Sequence, residues 1–182
     1  MRHTQAMDLP ILRDGDIVLR APRAGDAAAI AAACQDPEIA RWTNVPSPYS
    51  RADAESYIAA SAADAEAGRA ANLLAILGPG DGLLGSFSVM ELDRAPGYGE
   101  VGYWVAAAAR GRGVATRCTR ILVEWARREL RLTRIEILPH HDNRASRRVA
   151  EKAGFLDTGE LRASPRSKAG EADFAVYTWS TP

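Results

Sequence analysis

The chain has 182 residues, of which 47% are hydrophobic and 25% charged, a composition that suits one globular domain able to bury its own core without disulfide or metal support. No apolar run approaches the roughly 18 residues of a membrane span, and the first residues lack the apolar stretch of a signal peptide, so a cytoplasmic location is the expectation. Net charge is zero, which argues against a partner chosen by overall charge alone.

The charge is unevenly laid out, however. Positions 110–152 carry twelve basic and five acidic residues, whereas 22–109 carry five basic and eleven acidic. A basic half can face nucleic acid, but it has no interleaved aromatics and no known nucleic-acid motif. A phosphorylated cofactor accounts for it as well. Cys34 and Cys118 stand alone, without metal or redox spacing, and read as small buried side chains.

In chain order, 1–14 is a loose or edge-packed tail ahead of one domain over 15–182. A short strand over 17–20 is bounded by Asp14-Gly15 and Pro22. Gly25-Asp26 opens an alanine-rich helix to about Cys34, and a second helical turn over 37–42 leads into the proline-bearing surface loop 43–49. Trp42 and Tyr49 flank that loop and either line a pocket or cap the core. Ser50 is the expected N-cap of a helix to about Gly68, with Asp53 near its positive end. Strands follow at 72–77, 83–92 and 98–105, the first two joined by a glycine-rich turn and the last two by Pro96-Gly97. This order does not describe a doubly wound sheet.

Next comes the stretch 110–116, R-G-R-G-V-A-T, between an apolar strand and a helix. A strand that passes through a glycine-rich turn into a helix gathers unpaired N–H groups at the positive end of the helix dipole, and that is an anion site. Gly111 and Gly113 let a phosphate approach. Arg110, Arg112 and Arg117 add charge. A Walker loop would need Gly-Lys-Ser/Thr here, and a dinucleotide fingerprint a third glycine with a later acidic residue; neither is present.

Val114, Cys118, Ile121, Leu122 and Trp125 then form one apolar stripe on a helix to about Leu130. A buried strand over 133–138 completes a strand-helix-strand unit, read as a right-handed crossover between parallel strands. Asp142-Asn143 caps a further helix to Ala153, and a last pair of strands runs from Phe155 to about Trp179. Their connection, 163–170, with Pro165, Arg166, Lys168 and Gly170, is expected to be mobile.

Three segments share one resemblance: Gly99-Glu100-Val101-Gly102-Tyr103-Trp104-Val105, the loop 110–116, and Asn143-Arg144-Ala145-Ser146 running on to Glu151-Lys152-Ala153-Gly154-Phe155. In order and spacing they resemble the signature segments of the GNAT acetyltransferases, and most resemble the branch of the ribosomal-protein N-terminal acetyltransferases (Rim type). Arg110, Gly113 and Ala115 match the acyl-CoA pyrophosphate pattern in register. The alanine run 106–109 departs from the family in lacking a proline often found there.

The resemblance implies an α/β domain with a twisted mixed sheet of about seven strands and helices on both faces. The fourth and fifth strands, 98–105 and 133–138, would splay to admit the pantetheine arm of acetyl-CoA as co-substrate. The loop, through Arg110, Arg112, Gly113, Ala115 and Thr116, would hold the pyrophosphate, while Val105 backbone and Asn143 would meet the pantetheine. Asn143 is read as also capping its helix. No metal is called for.

The activity implied is acetyl-CoA-dependent N-acetylation of a primary amine by direct attack in a ternary complex, with a non-catalytic acyl-CoA-binding module as the alternative. Glu100 is the candidate base, because burial in an apolar strand raises a carboxyl toward a useful pKa; otherwise it is a solvated strand glutamate. Ser146 resembles the family serine that donates toward the thioester sulfur, or it completes a helix turn. His140 and His141 end a strand nearby without fixed spacing to a metal or nucleophile, and Tyr98 and Tyr103 read as packing, Tyr98 on the Glu100 face. Trp42, Tyr49 and the acidic helices to Gly68 point to an acceptor that is cationic before deprotonation. A protein N-terminus, an aminoglycoside or a polyamine all fit. Neither nucleic acid nor membrane is expected as a partner, and a homodimer stays open.

Overall fold

Gly15 reverses the chain at φ +56, a left-handed conformation that favours glycine, and so lets Leu12–Asp14 (β1) pair antiparallel with Ile17–Arg20 (β2). This is seen in a computed structural model, which describes residues 6–78, 82–93, 95–163 and 173–180. The Met7 N–H also donates to the Ala65 carbonyl at 2.9 Å. Residues 7–14 are therefore edge-packed, and β1 makes the sheet eight-stranded where the sequence suggests about seven.

Three helices follow β2: Ala27–Ala33 (α1), Pro37–Trp42 (α2) and Arg51–Glu66 (α3). Three antiparallel strands come next, Ala71–Leu77 (β3), Gly82–Asp93 (β4) and Tyr98–Val105 (β5). Helix Val114–Glu129 (α4) crosses to Arg134–Ile137 (β6), helix Arg144–Ala153 (α5) follows, and Leu156–Ala163 (β7) pairs with Asp173–Ser180 (β8). Strand order is β1-β2-β3-β4-β5-β6-β8-β7, antiparallel throughout except β5 with β6. The connection 164–172 and turn residues 79–81 lie outside the described residues, so the mobility expected of 163–170 belongs there too.

Both faces of the sheet are covered, and the sequence of β3 shows why. Leu73 and Ala75 point into one core, which α4 and α5 fill with Cys118, Leu122, Ala126 and Ala150. Leu74 and Ile76 point into another, filled by Ile30, Ile39 and Ala54 of the first three helices. Alternate side chains of a strand face opposite ways, so a strand apolar on both must be buried twice. The α4 stripe behaves as its spacing predicts. Burial pushes the Cys34 thiol up to about 11 and the Cys118 thiol to about 12, so both stay protonated and unreactive near neutrality.

The feature that creates a site is a broken pairing. Strands β5 and β6 are in register only for Tyr98, Gly99 and Glu100 against Arg134, Ile135 and Glu136. Beyond Glu100, β5 runs on to Val105 along β4 with no β6 register beside it. The sheet opens there.

Candidate active site

A cavity of about 1130 Å³ occupies this opening and continues beneath α3. Trp42, Tyr49, Glu100, Val105, Arg110, Gly113, Ala115, Thr116, Asn143 and Ser146, proposed above from four stretches of the chain, all line it. Arg112 is exposed and does not.

One end of the cavity is built from backbone. Gly111 and Gly113 sit at φ +73 and +75, and an added Cβ at either would meet nothing within 4 Å. Side chains cap three other helices: Asp36 accepts from Glu38 N–H, Ser50 from Asp53 N–H, and Asn143 from Ser146 N–H. Helix α4 is different. Its N-cap is Gly113, with no side chain to offer, so the first-turn N–H groups lack a side-chain partner at the point where the helix dipole is positive. Arg148 and Lys152, which sequence reasoning missed, bring positive charge to the cavity from one face of α5. Their spacing with Ala145, at i, i+3 and i+7, was the available signal.

The arginines of the loop itself are differently placed. Arg117 does not add charge to the anion site. Its Nε donates to Asp14 Oδ2 at 2.8 Å and its Nη2 to the Asp14 carbonyl at 2.6 Å, tying α4 to the β1–β2 hairpin instead. Arg110 lines the cavity, yet its Nε donates to the Val105 carbonyl at 3.1 Å and its Nη2 lies 2.6 Å from Asp36 Oδ2. One lone pair of that Val105 carbonyl is therefore already used.

The other end is built from side chains, on the sheet face that carries Glu100. Glu100 is 8% exposed, so the solvated reading of this residue does not hold. In register it lies opposite Met90 and beside Glu136. Across the floor, Ser88 Oγ donates to Asn72 Oδ1 at 2.6 Å, and the Tyr57 and Ser86 hydroxyls share a bond of 2.8 Å. These four residues were not singled out from sequence, although alternation along β4 puts Ser86 and Ser88 on one face. Trp42 and His140 close the rim with ring centroids 5.6 Å apart. Tyr49 is both wall and core, 8% exposed, with burial pushing its phenol up to about 12.

Glu136, not singled out from sequence, sits where β5 and β6 part. Its side chain is fully buried and receives Arg162 Nη1 and the Tyr98 hydroxyl at 2.8 and 2.9 Å on Oε2, and Arg134 Nε at 3.0 Å on Oε1. Burial raises its carboxyl; the hydrogen bonds from Arg162, Tyr98 and Arg134 outweigh that and hold it below the ordinary glutamate range. Tyr98, sharing the Glu100 face, is pushed up to about 12 by burial and by donating to this carboxylate. The joint where the strands part is thus a closed ionic cluster.

On the opposite face, the Tyr103 and Ser146 hydroxyls lie 2.8 Å apart. Burial pushes the Tyr103 phenol up to about 12 although the bond to Ser146 works the other way. Asn143 Oδ1 takes the Ser146 N–H at 3.0 Å, confirming the cap and leaving the amide nitrogen for another acceptor. His140 Nδ1 accepts the Asp142 N–H at 3.1 Å, which leaves Nε2 as the ring's other polar atom.

The acidic approach expected of the first helices is largely neutralised within the fold. Asp26 pairs with Arg20, Asp36 with Arg110, Glu38 with Arg41, Glu55 with Arg51 and Asp64 with Arg69. Arg41 also sits 4.5 Å over the Trp42 ring, where an acceptor cation was expected. What remains is local. Asp53 and Glu100, not matched to an arginine above, line the cavity, and so do the cations Arg148 and Lys152.

Residues 16–156 match the family model described as an acetyltransferase (GNAT) domain. A Bacillus subtilis protein named as a ribosomal N-acetyltransferase is 39% identical over 96 residues, 53% of this chain and 52% of that protein. The match thus spans about half the length of that curated relative, and 57% of a second. Among solved structures, a Vibrio cholerae protein described as a ribosomal-protein-serine acetyltransferase superposes with a TM-score of 0.85 at 21% identity, over 97% of this chain and 100% of that one. Spermidine N-acetyltransferase of Vibrio cholerae, solved with CoA and spermine, gives 0.76 at 18% identity over 92% and 96%. At such identities the structures establish a shared fold. Among the described residues no helix is long and apolar enough to cross a membrane.

Proposed function

Because the chain belongs to the GNAT acetyltransferase family, we propose that it is an acetyl-CoA-dependent N-acetyltransferase acting on a primary amine by direct attack within a ternary complex. The observation that carries this reading is the parting of β5 from β6 after Glu100 and Glu136, which leaves a cleft with an uncapped helix N-terminus at one end and a buried carboxylate in its wall.

Backbone N–H groups at Gly113, Ala115 and Thr116 take the pyrophosphate, with Arg112, Arg148 and Lys152 supplying positive charge around it. The exposed backbone of β5 near Val105 and the Asn143 amide nitrogen take the pantetheine amides. The thioester then lies between Glu100 and Ser146. An alkyl amine with a pKa near 10 is about one part in a thousand neutral at pH 7, so a base that removes its proton is a large part of the task. Glu100 takes that proton directly or through water, the amine nitrogen bonds to the acetyl carbon, the carbon–sulfur bond breaks, and the second proton that the nitrogen sheds on becoming an amide goes to the leaving thiolate, so that CoA departs as the thiol.

Ser146 stabilises the departing sulfur. A hydroxyl has one proton, and when Tyr103 donates to Ser146, the Ser146 proton is turned outward toward the sulfur. With its phenol at about 12, Tyr103 is a much weaker acid than a thiol near 8.5, so this pair orients and stabilises without handing over a proton early. Among acceptors, the hydrogen-bonding floor of Asn72, Ser86, Ser88 and Tyr57 favours an amine carried on a polar body, such as a peptide N-terminus or a small polyamine. Work in the cytoplasm, where acetyl-CoA is made, is part of the same reading.

A panel of peptides, polyamines and aminoglycosides incubated with labelled acetyl-CoA tests it. Label is expected in at least one primary amine. Absence of transfer together with absence of CoA binding by calorimetry would remove the proposal.

A further inference from the structure

We infer that Arg110 is a positioning residue that fastens the acceptor-side helix α2 to the co-substrate loop through Asp36, and is not a ligand of the pyrophosphate. The acceptor side of this inference rests on the acetyltransferase reading; the fastening itself does not.

Three observations converge on it. First, two of the three guanidinium nitrogens of Arg110 are engaged elsewhere, Nε at the Val105 carbonyl and Nη2 at Asp36 Oδ2, 3.1 and 2.6 Å respectively. Second, Asp36 does two things. Oδ1 caps α2 by accepting the Glu38 N–H at 2.9 Å, and Oδ2, enclosed by protein, meets the guanidinium. At 2.6 Å that second contact has the distance of an ion pair without the angle of a hydrogen bond, so charge holds it and no other polar group replaces it. Swinging Arg110 to a phosphate would strand a buried carboxylate oxygen, which is the costly outcome for such a group. Third, α2 is a six-residue helix whose Glu38, Ile39 and Trp42 all line the cavity. So short a helix is not stable alone and takes its position from what holds its ends.

The consequence is a division of labour inside one loop. Glycine backbone binds the co-substrate, while the arginine at its start sets where Trp42 and Glu38 stand for the acceptor.

Asp36→Asn isolates the pair, because asparagine caps a helix as well as aspartate does but carries no charge. Hydrogen exchange over residues 37–42 of the free protein should be about tenfold faster or more in Asp36→Asn and in Arg110→Gln, and no faster still in the double variant. CoA dissociation constants by calorimetry should stay within about twofold of wild type in all three. With spermidine and an alanine-initiated tetrapeptide as probes, KM for whichever is acetylated should rise about fivefold or more at saturating acetyl-CoA, with kcat changing less. Unchanged exchange over 37–42 overturns the inference, and so does a tenfold loss of CoA affinity in Arg110→Gln with acceptor KM unaltered. If exchange responds while the wild-type protein binds no CoA, the fastening stands and the proposed activity falls.

Discussion

The two ends of the cavity are made of different material. The end at α4 is backbone: two glycines in left-handed conformation and a helix that begins without a side-chain cap. The end beneath α3 is side chain: Tyr57 from a helix, Asn72, Ser86 and Ser88 from two strands, Glu100 from a third and Trp42 from α2. A backbone site asks only for a local conformation, and a few adjacent residues specify it. A side-chain site needs distant elements to converge, so its chemistry can change without disturbing the glycine loop at the other end.

The division is sharpest if each end can be broken alone. Glu100→Gln should lower kcat by about 10² to 10⁴, the usual contribution of a general base, and leave the CoA dissociation constant unchanged. Part of that loss should return at high pH, where more of the amine is neutral. A fall of less than about threefold with an unaltered pH profile would assign the proton to another group.

Gly113→Val should do the reverse, weakening CoA by about a hundredfold or more, since the valine side chain occupies the open space in front of α4 and must adopt φ +75. Nothing in the protein lies within 4 Å of the added Cβ, so the fold should survive with a melting temperature lower by only a few degrees. Wild-type CoA affinity in this variant would show that the anion is held elsewhere.

The joint between the ends is Glu136, and it should matter for stability more than for either ligand. Its partners Arg134 and Arg162 are 55% and 35% exposed and can turn to solvent, so Glu136→Gln should cost about 1–3 kcal/mol, less than breaking a wholly buried pair. That corresponds to roughly 3–10 °C in melting temperature. Because the folded carboxyl is held below the ordinary value near 4.3, the wild-type advantage is complete above that pH and fades as pH falls through the lower folded value. The gap between the two melting curves should therefore narrow below about pH 4; a gap that widens on acidification would contradict the ionic cluster.

Salt should have the smallest effect. With Asp26, Asp36, Glu38, Glu55 and Asp64 each matched to an arginine, long-range attraction of a cationic acceptor is mostly cancelled, and its KM should change less than about twofold between 50 and 300 mM salt. A steep rise would restore the acidic approach expected from composition.

How far the sequence could be read follows the same line. The caps at Ser50 and Asn143, the α4 stripe, the glycine turn before α4 and the strand over 72–77 are short-range patterns, and each appears where its spacing puts it. The three-residue strand β1 carries too little pattern to be read alone and exists because β2 offers it an edge. Glu136 sits in a stretch that reads as a buried strand, and no neighbour in the chain tells what would receive its carboxylate; only β7 and β5, bringing Arg162 and Tyr98 to it, supply the partners. Likewise Arg117 finds Asp14 at a separation of 103 residues, and Tyr103 finds Ser146 at 43.

By itself, then, the amino-acid sequence determined most of the elements, the caps at Ser50 and Asn143 and the glycine turn that opens α4, because hydrogen bonding within a turn and the periodicity of burial depend on neighbours in the chain. The tertiary structure alone decided which charges are spent on one another and which face the cavity. An ion pair or a shared hydroxyl proton depends on distances of about 3 Å between elements remote in sequence, and no local pattern records them.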